Sequence, residues 1–379
     1  MNIKKTRYFV RTFGCKTNQY ESQLLKELIQ QSGNEVVEEY CDADYVVVNS
    51  CAVTQAAERD VYKFIRRVYR ESKNVKQIYV VGCYAEYTIQ KCLKEKFFER
   101  LVVNLPINFL GCKEKYNVIP SDMYKDTTIC ESKFWLRKFF GTTRAYVKIQ
   151  DGCNNYCSYC IVPFLRNRMY SRPLEMVLKE VDDLVRNGYT EIYIVGTNVG
   201  KYKYEQNNRT YDFIDLSERL LCEFPEITLL FSSLEPVDLN EKFFDFLEKY
   251  RNRIFPHFHI PLQAADDEIL QDMGRNYTVE EYLDKIKKLR KIIPGVIISS
   301  DIIVGYPIET QQKFLFLTEF IKKVGFNWVH VFPYSPRLGT KAYLKYGNTT
   351  AKDVKQKVRY VNEINTLLGE KYFKQLCKV

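Results

Sequence analysis

The chain has 379 residues, 46% of them hydrophobic and 27% charged, with 16 Gly and 12 Pro. That composition excludes a disordered or collagen-like chain, and the length is too great for one ordinary domain. Lys and Arg outnumber Asp and Glu by 57 to 47, and the resulting net charge of +10 suits a partner that carries phosphates.

The N-terminus, MNIKKTRYFVRTFG, lacks the long apolar core of a secretory leader, and no apolar run approaches the ~20 residues of a membrane span. The expectation is a cytoplasmic protein with no membrane partner. RYFVRTF reads as a strand and GCKTN as a loop. QYESQLLKELIQQSG is an amphipathic helix, with Leu24, Leu25, Leu28 and Ile29 on one side and Gly33 at its end. DYVVVNS is a continuous apolar strand of the kind buried on both faces of a parallel sheet. A helix follows with Ala57, Val61, Phe64, Ile65 and Val68 at helical spacing, then the strand KQIYVVG. The pattern weakens over 107–140, which is read as a boundary region. Beyond it RAYVKIQ, EIYIVG, ITLLFSS, PHFHIPL, VIISSDIIVG and WVHVFPY read as six strands separated by helices. The fold class expected is α/β, an N-terminal parallel sheet followed by a partial (β/α)6 barrel. The segment from Ala351 onward is a helix packing through Val354, Val358, Val361, Ile364 and Leu368. The domains expected are 1–135, 136–350 and a terminal helix, 351–379.

Twelve cysteines in a reducing compartment point to metal ligation or catalysis for some of them rather than to disulfides. Cys41, Cys92, Cys112, Cys130, Cys222 and Cys377 stand alone and are expected to be small buried hydrophobes. Three others close the first three strands: TFGC gives Cys15, VNSC gives Cys51 and VVGC gives Cys83. In a parallel sheet such ends share one edge, where ligands sit, so the three thiols are expected to serve a common ligand. A second set, Cys153, Cys157 and Cys160, forms CxxxCxxC after the first barrel strand. Structural zinc takes four protein ligands, and the chain's three histidines, His257, His259 and His330, lie far away in sequence. A [4Fe–4S] cluster held by three thiolates keeps one iron open for a small molecule. Zinc completed from a distance is the alternative.

CxxxCxxC with Tyr159 before its last Cys, opening a barrel, resembles the radical S-adenosylmethionine superfamily. TFGCKTNQYES, VNSCAVT, VVGCYAE, VKIQDGCNNYCSYCIVP, SSLEP, HFHIPLQ, SDIIVGYP and HVFPYSPRLGT follow in the order of its methylthiotransferase family, from about residue 7 to about 345. GCKTNQYES is most similar to the branch that acts on threonylcarbamoyladenosine beside the tRNA anticodon, less so to the isopentenyl-adenosine and ribosomal-protein branches. The resemblance implies two [4Fe–4S] clusters. Cys153, Cys157 and Cys160 would hold one, whose open iron chelates S-adenosylmethionine for reductive cleavage to a 5′-deoxyadenosyl radical. Cys15, Cys51 and Cys83 would hold the other, which carries the sulfur to be inserted, and a second S-adenosylmethionine would supply the methyl group. It further implies tRNA, an electron donor such as flavodoxin or ferredoxin, and a sulfur donor as partners.

Tyr159, Ser233, Glu235 and Gln263 fall in the family's cofactor pocket, the alternative for Glu235 being a capping or solvated carboxylate. His257 and His259, on one strand face, are expected to pack or hydrogen-bond. Arg166, Arg168 and Arg172 are read as ligands of substrate phosphates, or else as a solvated basic loop. The run Lys285–Lys291 is expected to be a solvated helix face. Tyr334 and Arg337, in FPYSPR, are placed to meet a flipped base, or else shape a proline turn. The chain departs from the family at Ala264-Ala265, Asn167, Ile308 and the LLF before Ser232. The family's C-terminal RNA-gripping TRAM domain is expected to be absent. The rival readings are the same radical chemistry on another RNA or a ribosomal protein, and a non-catalytic iron–sulfur electron carrier.

Overall fold

The computed structural model describes residues 5–51, 53–83, 101–103, 135–139, 143–166 and 169–376. Most of the expected boundary region, together with Cys92, Cys112, Cys130, Cys377 and Arg168, lies outside them. The chain divides into two compact units: Met1–Cys153 with Val162–Thr190 and Val195–Thr197, and Asn154–Ile161 with Glu191–Ile194 and Asn198–Val379.

The first unit is built on a parallel sheet. Its elements are β1 (Arg7–Thr12), α1 (Lys16–Gln31), β2 (Glu35–Val36), β3 (Tyr45–Ser50), α2 (Gln55–Glu71), β4 (Gln77–Gly82) and β5 (Leu101–Val103). The sheet order is β2-β1-β3-β4-β5 with every neighbour parallel, so the three cysteine-bearing strands lie side by side. The run of Val46, Val47 and Val48 in β3 is sealed on both faces, as a continuous apolar strand requires. Val61, Ile65 and Val68 of α2 pack on one side, and Leu25 and Ile29 of α1 on the other. Thr54 caps α2 by accepting the Ala57 N–H at 3.1 Å. The same unit holds β6 (Arg144–Asp151), the short α3 (Val162–Leu165), β7 (Tyr170–Ser171) and α4 (Leu174–Arg186), with β7 antiparallel to β6.

The second unit contains β8 (Glu191–Gly196), whose first four residues belong to it, then β9 (Lys203–Gln206), β10 (Arg209–Asp212), α5 (Phe213–Glu223), β11 (Thr228–Phe231) and α6 (Glu241–Tyr250). It continues with β12 (His257–His259), α7 (Asp267–Asp272), α8 (Val279–Ile292), β13 (Ile297–Val304), α9 (Gln311–Val324), β14 (Trp328–Pro333), α10 (Lys341–Tyr346) and α11 (Val354–Leu376). β8 and β11 are parallel, and so are β12, β13 and β14. Backbone bonds from Phe255 to Leu229 (2.9 Å) and from Leu234 to His259 (3.1 Å) join the two groups. The α/β class with parallel sheets expected from the sequence therefore holds. The hairpin β9–β10 was not expected: Asn207 and Asn208 both adopt positive φ, the turn geometry asparagine tolerates. Val361 and Ile364 of α11 are buried, and Asn365 beside them bonds both backbone groups of Val329 on β14.

Three expectations need correction. Cys41 and Cys222 are exposed, not buried. The Lys285–Lys291 run is more than a solvated face: Lys285 donates to Pro236 O at 2.7 Å, and Arg290 donates to Val324 O and Gly325 O at 2.6 and 2.7 Å, satisfying carbonyls at the end of α9. The stretch PHFHIPL, 256–262, contributes only the three-residue strand His257–His259.

The core of the second unit is aromatic. Phe231 lies within 6.5 Å, ring to ring, of Phe213, Phe246 and Phe258. Phe231→Ala is expected to cost about 3–5 kcal/mol through the cavity it leaves, read as a lower urea midpoint with an unchanged slope for that unit's transition.

Candidate functional site

In the first unit, the loop after β1 turns at Gly14, whose φ is +106°. A Cβ there would stand 2.8 Å from Cys51 Cβ and 3.1 Å from Cys51 Sγ, so glycine is what lets the β1 end abut Cys51. Cys15 follows directly as the N-cap of α1. Its thiol donates to Asn18 Oδ1 at 3.2 Å, and Asn18 Nδ2 in turn donates to Asn49 Oδ1 and Ser50 O on β3. Gly82, φ +88°, ends β4 against Asn49 and Ser50, and Cys83 follows it. Cys15 is exposed, Cys51 buried and Cys83 half-buried. Burial pushes the Cys51 thiol up to about 11, with the neighbouring Cys83 and Cys15 adding to the rise.

Beside Cys83 stands Arg166, a buried side chain directly after α3. Its Nε donates to Cys83 Sγ at 3.0 Å. Its Nη atoms grip both oxygens of Glu21, at 2.9 and 3.1 Å, and Asp151 Oδ1 at 2.7 Å. Lys148 Nζ closes the square on Glu21 and Asp151, at 2.7 Å each. Burial alone would raise the Glu21 carboxyl; Arg166 and Lys148 outweigh it and hold the group below its usual value. Asp151 is likewise held well below the carboxylate range by the same two cations against its burial. Arg172 is also buried, donating to Lys148 O at 2.8 Å and paired with Glu180. Reading Arg166 and Arg172 as phosphate ligands is thus corrected: their guanidinium groups are committed to buried carboxylates, because a cation placed in the interior must be paired there.

The CxxxCxxC run is divided by the same partition, with Cys153 in the first unit and Cys157 and Cys160 in the second. Within the second unit Cys160 N donates to Cys157 O at 2.9 Å. Ser158 anchors this loop: its N donates to Met273 O at 2.9 Å, its Oγ to Asp272 O at 2.6 Å, and its O accepts from Ala342 N at 2.7 Å. Arg275, also buried, donates to Cys157 Sγ at 3.4 Å and is paired through both Nη atoms with the Glu235 carboxylate. Burial drives the Tyr159 hydroxyl well above its ordinary range, against the pull of Arg275. Gln263 is buried and held at φ +66° by backbone bonds to Asp301 and from Ile303, both 2.9 Å, a strained setting of the sort found at ligand pockets. Ser233 is exposed.

Tyr334 and Arg337 are buried rather than presented to a base: the Tyr334 ring lies edge-on to Tyr306 at 5.1 Å, and Arg337 O accepts from Thr340. Stacking on Tyr334 is corrected accordingly, since its faces are already in the core. His257 Nε2 and His259 Nδ1 share Ser299 Oγ at 3.0 Å each, and His259 Nε2 meets Asp301 Oδ1 at 3.1 Å. A cavity of about 580 Å3 beside Ser158 is lined by Gln271, Asp272, Lys341, Lys345 and Ile308. Sequence reasoning missed Glu21, Lys148, Asp151 and Arg275; for the first three, charged residues within or beside the cysteine words were the available signal, and for Arg275 there was none.

Among the described residues no group of three or more His, Cys, Asp or Glu side chains is arranged to hold a single metal ion. A four-iron cluster binds each thiolate at a different iron, so its ligands surround it rather than meet at one point. Thiols supplied by three adjacent strand ends, one of them already receiving an N–H from a buried guanidinium, fit such a group better than a lone zinc ion. No helix among the described residues is long and apolar enough to cross a membrane.

The radical SAM superfamily model matches residues 147–321, and the model described as uncharacterized protein family UPF0004 matches residues 7–104. TsrM, a radical S-adenosylmethionine methyltransferase from Kitasatospora setae, shares the fold with a TM-score of 0.53 at 14% identity, over 88% of this chain and 77% of that one. These define a radical SAM fold. A tRNA-2-methylthio-N(6)-dimethylallyladenosine synthase of Azobacteroides pseudotrichonymphae is 34% identical, covering 95% of this chain and 81% of the relative. The threonylcarbamoyladenosine tRNA methylthiotransferase MtaB of Thermotoga maritima is 32% identical, over 97% and 83%. The chain belongs to the radical SAM tRNA methylthiotransferase family.

Arg172 offers a direct test of burial against substrate contact. Arg172→Met strands the Glu180 carboxylate and is expected to cost about 3–5 kcal/mol of stability in urea denaturation; a loss below about 1 kcal/mol would return Arg172 to the solvated basic loop.

Proposed function

We propose that the protein installs a methylthio group on the adenine of threonylcarbamoyladenosine beside the tRNA anticodon, using two [4Fe–4S] clusters and S-adenosylmethionine. In this reading Cys153, Cys157 and Cys160 hold one cluster, and Cys15, Cys51 and Cys83 the second, each with one iron left without a protein ligand. When bound, these groups supply one-electron radical chemistry and the transfer of sulfur and methyl. The residues of the chain bind, orient and exclude water. Arg275, gripped by Glu235, orients the Cys157 sulfur; Tyr159, Ser233, Glu235 and Gln263 border the S-adenosylmethionine pocket. Residues 1–135 form the domain of the second cluster, 136–350 the radical SAM domain and 351–379 its closing helix. The partners are tRNA, a flavodoxin or ferredoxin as reductant and a sulfur donor, all in the cytoplasm.

The observation that carries this reading is the presence of Cys15, Cys51 and Cys83 in the loops that follow three neighbouring parallel strands, in a chain that also has the CxxxCxxC run. A pure electron carrier has no need of the open iron that each set of three leaves. The net charge of +10 favours a nucleic-acid substrate. The word GCKTNQYES supports the threonylcarbamoyl branch. A second substrate, dimethylallyladenosine, is favoured by the names of the Azobacteroides and Porphyromonas relatives, 34% and 32% identical.

Anaerobic reconstitution is expected to load about eight irons per chain. Cys51→Ser should load about four and still release 5′-deoxyadenosine with a reductant, while losing the methylthio product. Mass spectrometry of tRNA nucleosides from a deletion strain carrying the gene decides the substrate. Restored methylthio-threonylcarbamoyladenosine is the expected result, the dimethylallyl counterpart would establish the second substrate, and neither product would overturn the tRNA assignment.

A further inference from the structure

The two cysteine sets have one feature in common that their spacing does not announce. In each unit a buried arginine, fixed by carboxylate, donates an N–H to one cysteine sulfur: Arg166 to Cys83 at 3.0 Å and Arg275 to Cys157 at 3.4 Å. Arg166 is the more tightly built. Glu21 takes it through two oxygens, Asp151 through a third, and Lys148 balances both carboxylates from the other side. Thr197 Oγ1 and Gly152 N add bonds to the same Asp151 oxygen, at 2.9 Å each. The planar guanidinium is thereby held on three sides, and its Nε points at sulfur.

We infer that Arg166 is a positioning residue that sets how readily the group held by Cys15, Cys51 and Cys83 accepts an electron, through its hydrogen bond to the Cys83 sulfur. The inference rests on the two-cluster reading above. A guanidinium keeps its protons at any physiological pH, so this donor cannot be switched off by titration. Hydrogen bonds to ligating sulfurs draw electron density from a cluster and favour its reduced form. The contact at Cys83 is shorter than its counterpart at Cys157, and it is made by a group with no freedom to turn away. Each sulfur set therefore has its own electrostatic control, carried by its own arginine. The four-charge square also explains why a cation can stand there at all: Glu21 and Asp151 offset Lys148 and Arg166 charge for charge, so no net charge is buried before the thiols are counted.

The test is a redox titration of the reconstituted protein followed by electron paramagnetic resonance, with an iron count on each sample. Arg166→Gln is expected to lower the midpoint of one cluster only, and Arg166→Lys to lower the same midpoint by less. The affected signal should be the one missing from Cys83→Ser. Arg275→Lys should move the other midpoint. If both Arg166 variants keep their full iron and neither midpoint moves, the inference is overturned. If Arg166→Gln fails to fold, Arg166→Lys decides alone by the same criterion. Loss of iron from the Cys15, Cys51 and Cys83 set in both variants overturns tuning in favour of a purely structural role. A wild-type count near four irons instead removes the two-cluster reading, and this inference falls with it; a count near eight with unmoved midpoints sinks the inference and leaves that reading standing.

Discussion

Lys148 and Arg166 bring two positive charges into the interior of the first unit, and the surroundings of its cysteines follow from the need to pair them. Glu21 must therefore face inward from α1, and Asp151 must end β6 where both cations reach it. Asn18 lies one turn before Glu21 on the same helix, so the helix face that pairs the cations also carries the amide that bonds Cys15. Removing any one member would leave a buried charge without its partner, the costliest kind of defect an interior can hold. A network of this type contributes little net stability against an apolar replacement, so its value lies in fixing the orientation of the Arg166 Nε.

The parts of the fold legible in the sequence are those written in local periodicity. The apolar run of β3, the helical spacing of Val61, Ile65 and Val68, and the closing of β1, β3 and β4 by cysteines all depend on neighbours within a turn or a strand. Adjacency of those three strands followed from the parallel pattern. What could not be read was partnership over distance. Arg166 and Glu21 are 145 positions apart, and Arg275 and Cys157 are 118 apart; nothing local to Arg166 distinguishes a buried clamp from an exposed phosphate ligand. The same blindness put Tyr334 at a base and Cys41 and Cys222 in the core. The hairpin at Asn207-Asn208 was legible in principle, since two adjacent asparagines suit positive φ, but the flanking residues lack strong strand character.

The words that carry the likeness to the methylthiotransferase family contain the cysteines that the fold places at its strand ends. Three of the family words, TFGCKTNQYES, VNSCAVT and VVGCYAE, span the ends of β1, β3 and β4, and the CxxxCxxC word sits where Ser158 ties its loop to Met273 and Ala342. Ile308 falls beside that tie and lines the cavity with an aliphatic side chain. Its effect is on the shape of the space next to the loop, not on the sulfurs.

Asn365 lies beside β14, the last strand of the β12-β13-β14 sheet. One side-chain amide on α11 accepts from Val329 N and donates to Val329 O, imitating on a helix the peptide group that another strand would have offered β14. A parallel strand at the end of a sheet is otherwise a template for a foreign strand. With Val361 and Ile364 buried alongside, the helix acts as a stopper: it ends lateral growth of the sheet at β14 and removes one route by which this chain would assemble with copies of itself.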